Sequence, residues 1–165
     1  MEKCRALKKT FTGARFMVFA CVFIEVPALA MAASGSLCST DEEVLFFCEA
    51  KRKTIEICAS RDVSAATGYM QYRVGINKKL EFVYPLERVP PVGKFRFNLL
   101  ARAAQLTFQN DEFTYTITEP LAGKTEIWVS QANAGFTRVV ECRNFTDSLT
   151  LTTIQNRFKR LDIYQ

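Results

Sequence analysis

The amino-acid sequence predicts an all-β fold, an antiparallel sandwich or barrel of about eight strands, held by two disulfides and followed by a short C-terminal helix. Three observations lead there. Apolar and polar residues alternate with period two in eight or nine short runs, turn chemistry separates neighbouring runs, and an even number of cysteines remains once an N-terminal leader is set aside.

Residues 33–43 are small and polar and read as a solvated lead-in. Residues 44–48 (Val-Leu-Phe-Phe-Cys) and 54–58 (Thr-Ile-Glu-Ile-Cys) are strand-like and flank a polar loop at 49–53. With Cys48 opposite Thr54, Leu45, Phe47, Ile55 and Ile57 share one face, and Val44, Phe46, Cys48, Cys58 and Glu56 the other. Two partly apolar faces suit a curved sheet packed on one side and covered by loops or cross-links on the other. Residues 69–74 and 80–84 form a second hairpin, which Pro85 ends. Three prolines between 85 and 93 mark the longest loop, a connection between strands. Alternation restarts at 95–99. Residues 106–109 and 113–117 flank Asn110-Asp111-Glu112, and 126–130 and 136–140 flank Asn133-Ala134-Gly135, giving two more hairpins. Asp147 or Ser148 is a candidate cap for a short helix over residues 149–161.

The first 32 residues read as a cleaved signal peptide. Lys3, Arg5, Lys8, Lys9 and Arg15 form a basic region and residues 16–24 an apolar run; Pro27 breaks it, and Ala30-Met31-Ala32 supplies the small residues of a cleavage site. The run is too short for a stable membrane anchor. Cys21 lacks the small or aliphatic residue two positions earlier that lipidation requires, because Phe19 stands there. Residues 33–165 then form one domain. The whole chain carries 22 basic and 17 acidic residues. Without five basic and two acidic leader residues the balance is 17 to 15, which gives no reason to expect nucleic acid.

Four cysteines remain, Cys38, Cys48, Cys58 and Cys142, and no Cys-x-x-Cys pair or histidine accompanies them. Disulfides are therefore expected and a metal site is not. In the assumed register Cys48 and Cys58 lie about four residues, or roughly 13 Å, apart along the strands. A disulfide needs Cα atoms within about 7 Å. The pairing expected is Cys38–Cys58 and Cys48–Cys142.

Without histidine there is no Ser–His or Cys–His pair, and no nucleophile-elbow or phosphate-loop motif occurs. The acidic clusters Asp41-Glu42-Glu43 and Asp111-Glu112 fall in the lead-in and a turn, where solvation explains them. No enzyme and no cofactor are expected. The strand phenylalanines read as core. Basic clusters occur at Lys51-Arg52-Lys53, Lys78-Lys79 and around Arg157, Lys159 and Arg160. Asn144-Phe145-Thr146 matches a glycosylation acceptor.

Segments at 44–48, 57–60 (Ile-Cys-Ala-Ser), 68–75 (Gly-Tyr-Met-Gln-Tyr-Arg-Val-Gly) and 139–142 (Val-Val-Glu-Cys) resemble a group of small exported bacterial β-rich proteins of undescribed function. More distantly, the early strand ending in Cys48 and the late one ending in Cys142 resemble periplasmic lysozyme inhibitors of the β-barrel type. Those insert a loop bearing Ser-Gly-x-x-Tyr into the lysozyme cleft. Here Thr67-Gly68 precedes Tyr69 and Tyr72, so Thr replaces Ser and the tyrosine spacing differs by one. The resemblance implies a periplasmic location and a protein partner, a cell-wall hydrolase or toxin that the chain neutralises as inhibitor or immunity protein. Its candidate contacts are Lys51, Arg52, Lys53, Thr67, Gly68, Tyr69 and Tyr72. The alternative is a structural or accessory envelope protein.

Overall fold

The computed structural model describes residues 36–132, 135–143 and 150–165. The leader, the glycosylation motif and the proposed helix cap lie outside the described residues. Nine strands follow one another as antiparallel neighbours in two sheets. The first sheet holds β1 (Glu42–Ala50), β2 (Lys53–Ser60), β3 (Met70–Ile76) and β4 (Lys79–Tyr84), in that order. The second holds β5 (Phe95–Leu100), β6 (Ala103–Asn110), β7 (Phe113–Pro120), β8 (Glu126–Gln131) and β9 (Phe136–Glu141). The proline-rich loop crosses from the first sheet to the second. Among the described residues one helix, α1 (Gln155–Arg160), occupies part of the stretch expected to be helical.

The sheets meet through aromatic rings. Phe108 touches Tyr72 and Tyr84 of the first sheet at centroid distances of 4.9 and 4.6 Å, and Phe82 stacks on Tyr115 at 5.4 Å. These contacts lie within one continuous core that includes Phe46, Ile57, Leu106, Ile117 and Phe158. Phe46, Phe95, Phe97 and Phe108 are thus core, as large flat side chains on facing pleats should be, whereas Phe136 of β9, also expected in the core, is 47% exposed. Phe158 of α1 packs on Phe97 at 4.8 Å, and the chain end bonds to β5 through Phe97 N–H to Ile163 O (2.6 Å) and Gln165 N–H to Phe97 O (2.9 Å). That tail covers the edge of β5 left open by β6.

Both expected disulfides are present. Cys38–Cys58 joins the lead-in to β2, and Cys48–Cys142 joins β1 to the end of β9 across 94 residues. The register that led to them needs correcting. Val44 faces Cys58 as expected, but Cys48 faces Ile55 and Thr54 faces Glu49, because a bulge falls between Val44 and Phe46. One extra residue shifts the pleat, so Leu45 and Phe46 are both buried, while Phe46 and Cys48 share the inner face with Ile57 and Ile55. Phe47 faces Glu56 instead.

The lead-in also differs from expectation. Residues 39–41 are exposed as expected, but residues 36–38 pack over the outer face of the first sheet. Leu37 is buried, and the buried Glu56 carboxylate accepts bonds from Leu37 N–H (2.6 Å), Cys38 N–H (3.1 Å) and Ser36 Oγ (3.0 Å). A polar segment can pack there because the strand beneath supplies acceptors for its amides.

Candidate functional site

The expected contact residues divide between the two ends of the first sheet. Lys51, Arg52 and Lys53 form the exposed β1–β2 tip. Thr67, Gly68 and Tyr69 lie at the opposite end, between β2 and β3. Tyr72 is inside, 2% exposed, its ring packed on Phe82, Phe108 and Tyr115.

At the Thr67 end the backbone is tightly held. Thr67 N–H bonds to Ser64 Oγ (2.9 Å), and Tyr69 N–H to Ser60 Oγ (3.0 Å). Gly68 has φ +66°, and a Cβ there would stand 2.8 Å from Val63 Cα. Only glycine meets both conditions without strain. Tyr69 donates its hydroxyl to Glu42 Oε1 (2.6 Å), so the tyrosine of the loop motif serves the scaffold on one side. On its other side Arg88, from the proline-rich loop, lies 4.8 Å from the ring centroid. The two loops therefore form one surface.

Beneath that surface runs a buried polar chain. Arg73 grips Glu42 with two bonds of 2.6 Å, and its guanidinium also donates to Leu37 O (3.0 Å) and Gln71 Oε1 (2.7 Å). Gln71 in turn donates to the carbonyls of Pro85 (2.9 Å) and Leu86 (3.2 Å). Burial pushes the Glu42 carboxyl upward, but the bonds from Arg73, Tyr69 and Ser39 overcome it and hold the pKa at about 2. The Leu86 carbonyl is thus tied through Gln71 and Arg73 to the buried Glu42, while its side chain is 84% exposed. Sequence reasoning placed Glu42 in the solvated lead-in and did not single out Leu86.

The Lys51 end borders a groove of about 1230 Å³ between the sheets. Ile55, Val74, Phe82, Ile127, Val129 and Val140 line it, together with Tyr72 and Tyr115. Its rim carries Lys51, Arg52, Lys53, Lys124, Arg138 and Arg143 against Glu81 and Glu141. Two ion pairs form there, Lys53–Glu81 (2.7 Å) and Lys124–Glu141 (2.8 Å).

Among the described residues one set of potential metal ligands gathers, Cys38, Glu42 and Cys58. The two sulfurs are bonded to each other and Glu42 is committed to Arg73, so neither thiolate nor free carboxylate is on offer. In the C-terminal basic cluster Arg157 pairs with Glu43 at 2.6 Å, and Lys159 sits over Tyr164. No protein-family model, curated protein or solved structure matches the chain. The disulfides are compatible with an oxidising compartment, and no helix among the described residues is long and apolar enough to cross a membrane.

Proposed function

We propose that this chain is a periplasmic protein-binding domain that docks on an envelope-attacking enzyme and neutralises it, as a lysozyme-type inhibitor or an immunity protein. The observation that carries the reading is Leu86. It is a large apolar side chain held out in solvent on a backbone fixed by Gln71, next to Arg88 and the Thr67–Gly68–Tyr69 turn. Affinity in small interfaces comes from a few anchors that enter a partner's pocket without losing much freedom on binding. A rigid loop with one leucine at its apex and a cation beside it has that form. The resemblance to cleft-inserting inhibitors falls on the same surface, through Thr67, Gly68 and Tyr69.

The test is inhibition of purified muramidases, amidases and peptidases of the cell wall, read by clearing of peptidoglycan suspensions. One of them should be inhibited stoichiometrically. Leu86→Asp should weaken that inhibition by about a hundredfold, the scale of a hot-spot truncation, with the melting temperature unchanged. An enzyme inhibited equally by both proteins would move the site elsewhere, and inhibition of none would remove the reading.

A further inference from the structure

The groove at the other end of the molecule has a chemistry of its own. Its floor is apolar, and no described segment covers the inner face of β9, where Phe136 is 47% exposed with Arg138 beside it. Phe136, Arg138 and Val140 pair with Gln131, Val129 and Ile127 and so share the face that includes the buried Ile127. An apolar surface of this kind, bordered by charge, marks a binding site more often than plain surface.

Two further features narrow what fits. Tyr72 is 2% exposed and lines the groove, yet its hydroxyl has no hydrogen-bond partner among the described residues, and the same holds for Tyr115, whose ring lies 6.2 Å away. Burial raises the pKa of both phenols, so they stay protonated, and neither oxygen is sealed from solvent: they are donors open to the groove. At the rim, Glu81 and Glu141 are used by Lys53 and Lys124. Lys51, Arg52, Arg138 and Arg143 have no ion pair among the described residues. The groove therefore offers an apolar bed, phenolic donors within it, and an excess of cations at its mouth.

We propose that this groove binds an anionic glycerophospholipid, with an acyl chain on the apolar floor, the ester carbonyl accepting from Tyr72 or Tyr115, and the phosphate held by Arg52, Arg138 and their neighbours. Guanidinium groups suit the phosphate because they bind its oxygens in pairs. A fatty chain alone would displace water from the phenols without giving them an acceptor in its place, and a soluble phosphate would leave the floor bare.

Three probes of equal chain length separate these elements: lauroyl lysophosphatidylglycerol, lauroyl lysophosphatidylcholine and dodecyl phosphate, titrated into the protein by calorimetry below their micelle concentrations. The phosphatidylglycerol form should bind saturably, about tenfold tighter than the zwitterionic choline form. Each added methylene should raise affinity about fourfold until the floor is filled. Arg138→Gln should cost about tenfold for the anionic lipid and little for the zwitterionic one. Tyr72→Phe keeps the ring, and should cost about fivefold for the ester lipid and nothing for dodecyl phosphate. Equal binding of the two lysolipids, equal loss of both ester and non-ester probes in Tyr72→Phe, or no saturable binding would each overturn the proposal.

Discussion

Acid should unfold this domain through Glu42. Its side chain is fully buried against Arg73, and its pKa falls from an ordinary 4.5 to about 2. A carboxyl whose folded pKa is depressed stabilises the fold above its unfolded pKa and loses that contribution as pH falls through the folded one. At about 1.4 kcal/mol per pH unit, the difference is worth about 3 kcal/mol at pH 7. Roughly 2 kcal/mol of this is gone by pH 3, where the unfolded chain binds the proton almost fully and the native carboxyl scarcely does. Glu42→Gln removes the titration. It also strands the Arg73 charge, so at neutral pH the variant should be less stable by about 3–5 kcal/mol. The informative quantity is the gap between the two proteins. Urea unfolding with both disulfides intact, at pH 7 and at pH 3, should show it shrinking by about 2 kcal/mol. A gap that stays constant would mean that the Glu42–Arg73 pair is not what couples this fold to pH.

The disulfides should differ in weight: Cys142→Ser should destabilise more than Cys38→Ser by about 1 kcal/mol, since the chain entropy released grows with the 94- and 20-residue separations, as thermal melts of the two variants would show. Phe108→Ala, which removes the ring shared by Tyr72, Tyr84, Phe95 and Tyr115, should cost about 3–5 kcal/mol in urea unfolding. At Gly75 a Cβ would stand 2.6 Å from Lys79 O and 2.7 Å from Leu37 Cδ2, so Gly75→Ala should lower stability by about 1–3 kcal/mol despite its small volume. Gln71→Ala should leave the melting temperature less affected than it leaves the Leu86 loop, whose amides should exchange with deuterium faster once the Pro85 and Leu86 carbonyls lose their donor.

The strands were legible because each carries its own period and its own punctuation. Asn110-Asp111-Glu112 ends one run and starts the next, and Asp111 indeed takes the left-handed φ of 52° that such a turn demands. The bulge at Leu45 was not legible, since it sits inside the unbroken run Val-Leu-Phe-Phe, where neither residue choice nor spacing shows which position is doubled. The disulfide pairing survived that error because moving Cys48 by one residue along β1 still keeps it away from Cys58. Glu42 and Arg73 are 31 residues apart, and nothing local in either segment tells that one will neutralise the other. Hence a buried ionic centre looked like a solvated acidic run. The Lys51–Arg52–Lys53 tip was visible, but the floor it borders comes from β2, β3, β4, β7, β8 and β9 and exists only after the sheets pack.

The groove follows from an imbalance in the architecture. The second sheet has one strand more than the first, and the two outer edges of that sheet are treated differently. At β5 the chain end returns and bonds to Phe97, while Phe158 fills the space beneath. At β9 no described segment pairs with the edge; the closure there is the Cys48–Cys142 bond and a single backbone bond from Arg143 N–H to Glu49 O (2.7 Å). Both lie at the same end of β9, so the strand is tied to the first sheet beside Glu141, and no described segment covers it toward Phe136. A sandwich fastened at one point and open beyond it presents its inner face to whatever fits, and here that face carries an arginine between a phenylalanine and a valine. For a sheet with no second role, such a face is a liability toward association, which edge charges and covering segments usually remove. Among the described residues a segment covers β5 and none covers β9, whose open face is bordered by cations. That asymmetry is what a retained binding groove requires.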